Sequence, residues 1–359
     1  MTSQIEQRKS EHVAVVLTHD VAGAGITTGF ERIRFAHVAL PEIALSDVDL
    51  STSFLGRKLS APLLISSMTG GPVYAASINH AIAEAANVHG IAFGVGSQRI
   101  ALEEGAGHGF DRSLRSTAPD VPILANFGAA QLNGWDGPDM VRRAVDMIEA
   151  DAVIIHLNAL QEAVQPGGDT DWRGLLHQIE RLSRASPVPI VVKEVGFGIT
   201  GQVARRLWDA GVEIIDVAGA GGTNWASVEA ERAQVAADHE VAAAFAGWGV
   251  PTLECVLDVR AQCPDATIIA SGGLKNGIDC AKALRAGADL AGVAAGVLAA
   301  ATEGAEALSA RLDIIIRQLR ITCFATGSAN LASLRRAELQ PLGLEASEPT
   351  RRVREATGP

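Results

Sequence analysis

PIVVKEVGFGITGQVARRLWDAGVEIIDVAGAGG, residues 189–222, contains a strand, a helix and a second strand in that order. Apolar residues fill consecutive positions in PIVV and again in the EIIDVA run from Glu213. That is the pattern of parallel strands buried on both faces. Between them, GQVARRLWDAG (201–211) spaces Val203 and Leu207 four apart and stops at Gly211, which suits a helix closed by glycine. The chain repeats this unit. Strand candidates start at Pro62 (PLLISSM), Ile91 (IAFGVGS), Val121 (VPILANFG), Ala152 (AVIIHLN), Pro189, Glu213, Thr267 (TIIASGG) and Leu290 (LAGVAAG). Helical stretches intervene, among them GPDMVRRAVDMIEA from Gly137, with Pro138 suited to a first turn, and NGIDCAKALRAGA from Asn276. After the eighth strand, Leu308, Leu312, Ile315, Ile316 and Leu319 form a stripe at helical spacing.

Eight β-α units over about 250 residues match the size of a (β/α)8 TIM barrel. An open doubly wound sheet is the alternative, and eight units without a linker favour closure. The expected division is a leader at 1–61 that packs on the barrel and reaches its site, the barrel at 62–337, and a weakly ordered, Arg-rich tail at 338–359. The long excursion at 223–266, between the sixth and seventh strands, should hold a lid or an extra helix.

The 359 residues are 48% hydrophobic and 20% charged, a globular balance. Acidic residues outnumber basic ones 41 to 30, so the overall field opposes nucleic acid and anionic lipid. An anionic substrate therefore needs a local basic cluster. The apolar stretch Leu290–Ala301 is shorter than the ~18 residues that cross a bilayer. The polar start carries no signal-peptide core, and Cys255, Cys263, Cys280 and Cys323 show no CxxC spacing. These features predict a cytoplasmic protein with reduced thiols, bound neither to membrane nor to nucleic acid.

Active sites in such barrels gather at the C-terminal ends of the strands. Here those ends are polar: Ser67-Met68-Thr69, Ser97-Gln98-Arg99, Asn126, His156-Leu157-Asn158 with Gln161-Glu162 beyond, Lys193-Glu194, Thr223 and Ser271-Gly272-Gly273. SGGLKNG (271–277), including Lys275, and the Ala295-Gly296 turn can present backbone N–H groups to a phosphate at the two strands where such barrels bind it. A phosphate there, an ammonium from Lys193 and the amide of Asn126 describe a site for a flat phosphorylated cofactor such as FMN. The bland alternative for Lys193 is an ion pair with Glu194. His156 and Asn158 alternate and so share a face of their strand. Glu162 beside amide oxygens is a hard environment suited to Mg²⁺ shared with a phosphorylated substrate. His156 is read equally well as a satisfied core histidine. Arg8-Lys9, with Glu11-His12 after it, is either a solvated terminus or, together with Arg99, the missing basic cluster.

Taken together, these motifs resemble the type 2 isopentenyl-diphosphate Δ-isomerases, FMN-dependent (β/α)8 barrels. The match runs through RKSEH (8–12), HVALPEI (37–43), DLSTSFLG (49–56), APLLISSMTGG (61–71), GSQR (96–99) and NFGAAQ (126–131). It continues with HLNALQE (156–162), VKEVGFGI (192–199), GAGGTNW (219–225), SGGLKNG (271–277) and TGS (326–328). The resemblance implies that Ser67, Met68, Thr69, Ser97, Asn126, Lys193 and Thr223 line the flavin. Gly272, Gly273, Lys275, Ala295 and Gly296 would hold its phosphate end. Arg8, Lys9, His12, Gln98, Arg99 and Gln161 would contact substrate, Glu162 would hold Mg²⁺, and Gln161, His156 and Asn158 would be catalytic. Glu229, in the long excursion, would belong to the same pocket.

The resemblance further implies conversion of isopentenyl to dimethylallyl diphosphate in isoprenoid biosynthesis, with reduced flavin as acid–base, NADPH only as primer, no net redox, and a tetrameric or octameric assembly. One rival is an FMN oxidoreductase of the hydroxy-acid oxidase or inosinate dehydrogenase class. It would need a His-Gly-x-Arg run after the sixth strand or a nucleophilic cysteine, for which Cys255 is the nearest candidate. Another is a non-enzymatic flavin-binding protein, in which Lys9, Arg99, Gln161 and Glu162 would be superfluous.

Overall fold

The computed structural model describes residues 4–68, 72–105 and 109–341. Eight parallel strands close into a barrel: β1 Leu63–Ile65, β2 Ala92–Gly94, β3 Ile123–Gly128, β4 Ala152–Leu157, β5 Ile190–Glu194, β6 Ile214–Asp216, β7 Thr267–Ala270 and β8 Leu290–Val293. All eight strand candidates are present, each trimmed at one or both ends. The barrel closes rather than opening into a doubly wound sheet because β8 pairs with β1, in register Ala291 to Leu63.

Alternation along each strand sends one set of side chains into the barrel and the other toward the helices. The inner set is Leu64, Ala92, Leu124, Ala152, Ile154, Val191, Ile214, Ile269 and Leu290. Its lower end is plugged by Phe54 and Leu59, from the antiparallel hairpin Thr52–Phe54 and Arg57–Leu59. The outer set, including Ile65, Phe93, Ile123, Phe127, Val153, Ile155 and Val192, joins the helices in the large core. Toward the C-terminal ends the inner layer changes character. Gly128, His156, Lys193 and Asp216 lie in register on β3 to β6, so polar groups stand directly above an apolar floor.

The leader begins with the helix Gln4–Thr18. Val15 and Val21 pack on Val228, with Val16 and Trp225 beside them. Beyond that helix the chain crosses the barrel mouth, where Ala22 bridges to Thr223 and the Asn224 N–H donates to the Val21 carbonyl at 2.8 Å. The excursion holds two added helices, Trp225–Arg232 and Ala236–Ala243, before the barrel's own helix Thr252–Gln262. Trp225–Arg232 starts where it does because the Asn224 side chain caps it, accepting from Ser227 N–H. The start of the expected weak tail is ordered instead: Leu339–Pro341 pairs antiparallel with Ile33–Phe35. Positions 342–359 of that tail lie outside the described residues. Among the described residues, no helix is long and apolar enough to cross a membrane.

Candidate active site

A cavity of about 550 Å³ opens at the C-terminal ends of the strands, well within the usual size of a ligand pocket. Arg8, Lys9, His12, Ser67, Met68, Ser97, Arg99, Asn126, His156, Asn158, Gln161, Glu162, Lys193, Thr223, Gly272, Gly273, Lys275, Ala295 and Gly296 all line it. Thr69 lies outside the described residues. Gln98 is the exception and a correction. It is fully buried, its amide donating to the Ala144 carbonyl at 3.1 Å and its Oε1 accepting from the Asn126 N–H at 3.0 Å. Beyond β2, at the N-cap position of the helix Arg99–Glu104, its side chain turns into the packing beneath Asn126 while Ser97 and Arg99 face the cavity. Its side chain serves as a bracket and does not line the cavity.

Lys193 and Glu194 are consecutive on β5 and point to opposite faces, so they do not pair through their side chains. The Lys193 ammonium donates to the Glu194 backbone carbonyl at 2.5 Å and faces the cavity. The Glu194 carboxylate accepts the N–H groups of Val195, Gly196, Phe197 and Gly198 at 2.6 to 3.1 Å. Burial pushes the Glu194 carboxyl up, and these N–H groups push back. Asp216, in register beside Lys193, is buried with Oδ1 accepting from the Ser271 hydroxyl at 2.5 Å and Oδ2 unpartnered. Burial raises its carboxyl, opposed by the charge of Lys193.

His156 has a defined tautomer. Asn126 Nδ2 donates to the Val95 carbonyl at 3.1 Å, so its Oδ1 is the acceptor facing His156 Nδ1 at 2.9 Å. Nδ1 therefore carries the proton and Nε2 is a bare acceptor. Burial, then the charges of Lys193 and Lys9, push the ring's pKa down to about 3. The ring is neutral at any working pH, which separates it from an ordinary titrating histidine.

Across the mouth, side chains interlock. Asn158 occupies the N-cap position of the helix Ala159–Val164 without capping it. Its amide donates instead to Gln161 Oε1 at 3.3 Å and Glu162 Oε1 at 2.8 Å. A residue that forgoes a favourable cap in this way is committed to something else. Gln161 Nε2 donates to Glu229 Oε1 at 3.1 Å, and His12 Nε2 meets the same oxygen at 2.8 Å. Glu229 does not itself reach the cavity; it is buried behind Gln161 and clamped by Arg232, which also holds Glu11. Trp225 stands edge-on to the His12 ring at 5.1 Å.

The basic cluster is real. Lys9 donates to the Ser97 carbonyl at 3.1 Å, and burial, with Arg8 and Arg99 nearby, pushes its ammonium down to about 7. Arg99 Nε donates to Glu103 at 3.0 Å and Nη1 to Asp169 at 2.8 Å.

Several members escaped the sequence reading. Gln131, Gln165, Trp225 and Arg311 line the cavity, and Asp169 stands behind it. Gln131 and Trp225 were inside quoted motifs and could have been found. Arg311 could not: on the helix Ala305–Ala325, it donates to the carbonyls of Lys275 and Gly296, 36 and 15 residues away.

The donor set fits a flavin mononucleotide. The Ser66 and Ser67 hydroxyls, on the cavity wall, are buried without partners, and unmet polar groups of this kind call for a ligand. Gly272, at φ +99°, lies so close to Gly219 that a Cβ there would fall on its carbonyl, leaving bare backbone along the glycine-rich turns. For a cation, Glu162 has three of its roughly four acceptor sites engaged, by Asn158, Gln165 and the Asp169 N–H. No group of three metal-binding side chains exists among the described residues. Glu162 therefore suits a hard cation whose remaining ligands come from substrate and water.

A family model described as FMN-dependent dehydrogenase matches residues 3–109 and 159–341. A Stutzerimonas stutzeri protein named isopentenyl-diphosphate delta-isomerase is 57% identical over 335 residues, covering 93% of this chain and 97% of its own. The chain belongs to the type 2 isopentenyl-diphosphate Δ-isomerase family. Relatives of the same printed name from Pseudescherichia vulneris (56% identical, 94% of this chain and 97% of the relative) and a Nostoc strain (49%, 93% and 95%) agree. Among solved structures, a mandelate oxidase variant with (S)-mandelic acid superposes with TM-score 0.65 at 18% identity, covering 94% of this chain and 95% of the oxidase. That likeness shows the shared (β/α)8 barrel fold and nothing finer. After β6 this family member carries Gly219-Ala-Gly-Gly-Thr-Asn-Trp225, without the His and Arg of an oxidase. Cys255 is buried on the helix Thr252–Gln262 with its thiol pushed up to about 12, so it offers no nucleophile.

Proposed function

We propose that this protein isomerises isopentenyl diphosphate to dimethylallyl diphosphate, with FMN in the barrel mouth and Mg²⁺ between Glu162 and the diphosphate. One observation carries the reading. Asn158 and Gln161, backed by Glu229 and His12, line the same cavity as the basic cluster Arg8, Lys9 and Arg99 and as Lys193 and His156. Anion grip, positioned amide and flavin face thus share one cavity. The shift of the double bond adds a proton to the terminal alkene carbon and removes one from the carbon next to the diphosphate-bearing methylene. Atoms and electrons balance without net redox.

Arg8, Lys9 and Arg99 would bind the diphosphate, and Glu162 would hold the cation upon it. Bound and reduced FMN, which NADPH would prime, supplies an electron-rich ring for proton exchange and cation stabilisation, held by Ser67, Asn126 and Lys193 with Gly272, Gly273, Lys275, Ala295 and Gly296 at the phosphate. Gln161 is held by Asn158 on its oxygen and by Glu229 on its nitrogen, which fixes its amide toward the substrate. An amide is too weak an acid to protonate carbon unaided, so Gln161 orients or relays. His156, neutral, offers an acceptor without adding charge. The leader helix roofs the cavity and excludes water. A cytoplasmic homo-oligomer, tetrameric or octameric, fits the exposed Val235, Val241 and Trp248 on the excursion.

The test is an anaerobic incubation with FMN, Mg²⁺, NADPH and isopentenyl diphosphate in D₂O, followed by NMR. Dimethylallyl diphosphate carrying deuterium, with far less than one NADPH used per turnover, is expected. A reducible bound flavin without product would refute the proposal.

A further inference from the structure

Beyond the helix Ala159–Val164 the chain doubles back and places Asp169 behind the substrate side of the mouth. Gly168 makes this return possible, since a Cβ there would fall on the Glu162 carbonyl and lie 2.9 Å from Glu162 Oε2. Three strand ends meet at Asp169. Its Oδ2 accepts from Arg99 Nη1, after β2, at 2.8 Å and from Gln131 Nε2, after β3, at 3.0 Å. Its N–H donates to Glu162 Oε2, after β4, at 2.8 Å. The loop is pinned by Trp172 Nε1 on the Asp169 carbonyl at 2.9 Å and by Asn133 Nδ2 on the Asp171 carbonyl at 2.7 Å.

Arg99, Gln131 and Glu162 line the cavity and Asp169 does not. Arg99 spends Nε on Glu103 and Nη1 on Asp169, leaving Nη2 without a partner among the described residues. Glu162 keeps one acceptor site after its three hydrogen bonds. The Asp169 side chain is 43% exposed and that of Arg99 24%, and an ion pair so wet adds little to fold stability. Its consequence lies in geometry: a guanidinium and a carboxylate held in place before the ligand arrives lose less freedom when they bind it.

We propose that the Asp169 side chain is a positioning group for the diphosphate: it fixes the free edge of Arg99, together with Gln131, toward the anion, beside the Glu162 lone pair that the main chain of the same loop leaves open. This rests on the diphosphate reading of the cavity. Asp169 itself never touches substrate, and the groups its side chain acts through are Arg99 and Gln131.

The experiment titrates FMN-loaded protein with inorganic pyrophosphate in the presence of Mg²⁺, for wild type, Asp169→Ala and Asp169→Asn. In parallel, KM for isopentenyl diphosphate, kcat, flavin affinity and Tm are measured. Loss of an outer partner of this kind weakens binding by roughly 10–100-fold. Asp169→Ala should therefore raise both the pyrophosphate Kd and KM by that factor, with kcat, flavin affinity and Tm near wild type. Asp169→Asn, which keeps an acceptor oxygen, should recover most of the loss. Wild-type affinity in Asp169→Ala overturns the proposal, as does a loss that tracks Tm or flavin release and is not relieved by Asp169→Asn. Failure of the wild type itself to bind pyrophosphate overturns the diphosphate reading, and this proposal with it.

Discussion

Around β6 to β8 the cavity wall is mostly backbone: Gly221, Gly222, Gly272, Gly273 and Gly296 line it, backed by Gly219. Across the mouth, after β2 to β4, the wall is side chain: Arg99, Gln131, Asn158, Gln161 and Glu162, each hydrogen-bonded to another polar group. The first wall, the proposed flavin side, is defined by what is missing, because an absent Cβ lets main-chain N–H groups approach an anion. The other side is defined by what each group holds. Two failure modes follow: added atoms damage the first wall, and deleted atoms damage the second.

The largest expected effect comes from deletion. Gln161→Ala removes the amide that Asn158 and Glu229 hold in place, and should cut turnover by ~10²–10⁴-fold, the usual contribution of a positioned proton-handling group. Flavin affinity should be unchanged, because Gln161 stands on the opposite wall. Steady-state kinetics and a flavin titration of the same variant decide it. Unaltered turnover would remove Gln161 from the chemistry, and parallel loss of flavin would dissolve the distinction between the walls.

Addition is the converse. Gly272→Ala would place a methyl group against backbone atoms of Gly219, at a φ of +99° that alanine rarely adopts. Backbone strain of this kind costs about 1–3 kcal/mol, and neither strand end has a flexible side chain to yield. Tm and flavin affinity should fall together, with pyrophosphate binding retained in whatever fraction stays folded. A variant that keeps full flavin affinity would show that the glycine turns are ordinary tight turns.

The two walls were unequally legible in the sequence. The strands and the glycine-rich ends are local signals, consecutive apolar residues closed by Gly, and the barrel reproduces them. HLNALQE also announces itself, because His156 and Asn158 must share a face. Gln98 misled because Ser97 and Arg99 on either side do face the cavity; its direction was fixed by packing against Ala144 and Asn126, partners distant in sequence. Asp216 reads as the second of two acidic residues in EIID, after Glu213, and only the register with Lys193 shows that a buried carboxyl and an ammonium lie side by side. Asp169 and Arg311 act through partners on other elements. No spacing rule along one chain reveals a residue whose role depends on a loop returning.

The smallest effect concerns the roof that the leader lays over both walls, and it is a matter of pH. Lys9 is half-buried beside Arg8 and Arg99, and desolvation with their charges pushes its ammonium from its ordinary 10.5 down to about 7. Between about 7 and 10.5 the unfolded chain therefore carries a proton that the folded one lacks. The destabilisation from this group is full below about 7 and is relieved as pH rises toward 10.5. Ligand binding runs the other way. A diphosphate favours charged Lys9, so above about pH 7 binding must take up a proton, and affinity declines by at most tenfold per pH unit. His156, held neutral with its pKa near 3, adds no inflection in that range. Pyrophosphate affinity measured from pH 6 to 9 should fall more steeply for wild type than for Lys9→Arg, whose guanidinium stays charged, a difference of a few-fold, roughly, at pH 8. Titration calorimetry in buffers of different ionisation enthalpy counts the proton directly. Identical slopes for the two proteins, with no proton taken up, would mean that Lys9 stays charged beneath the leader helix and that its neighbours do not press on it.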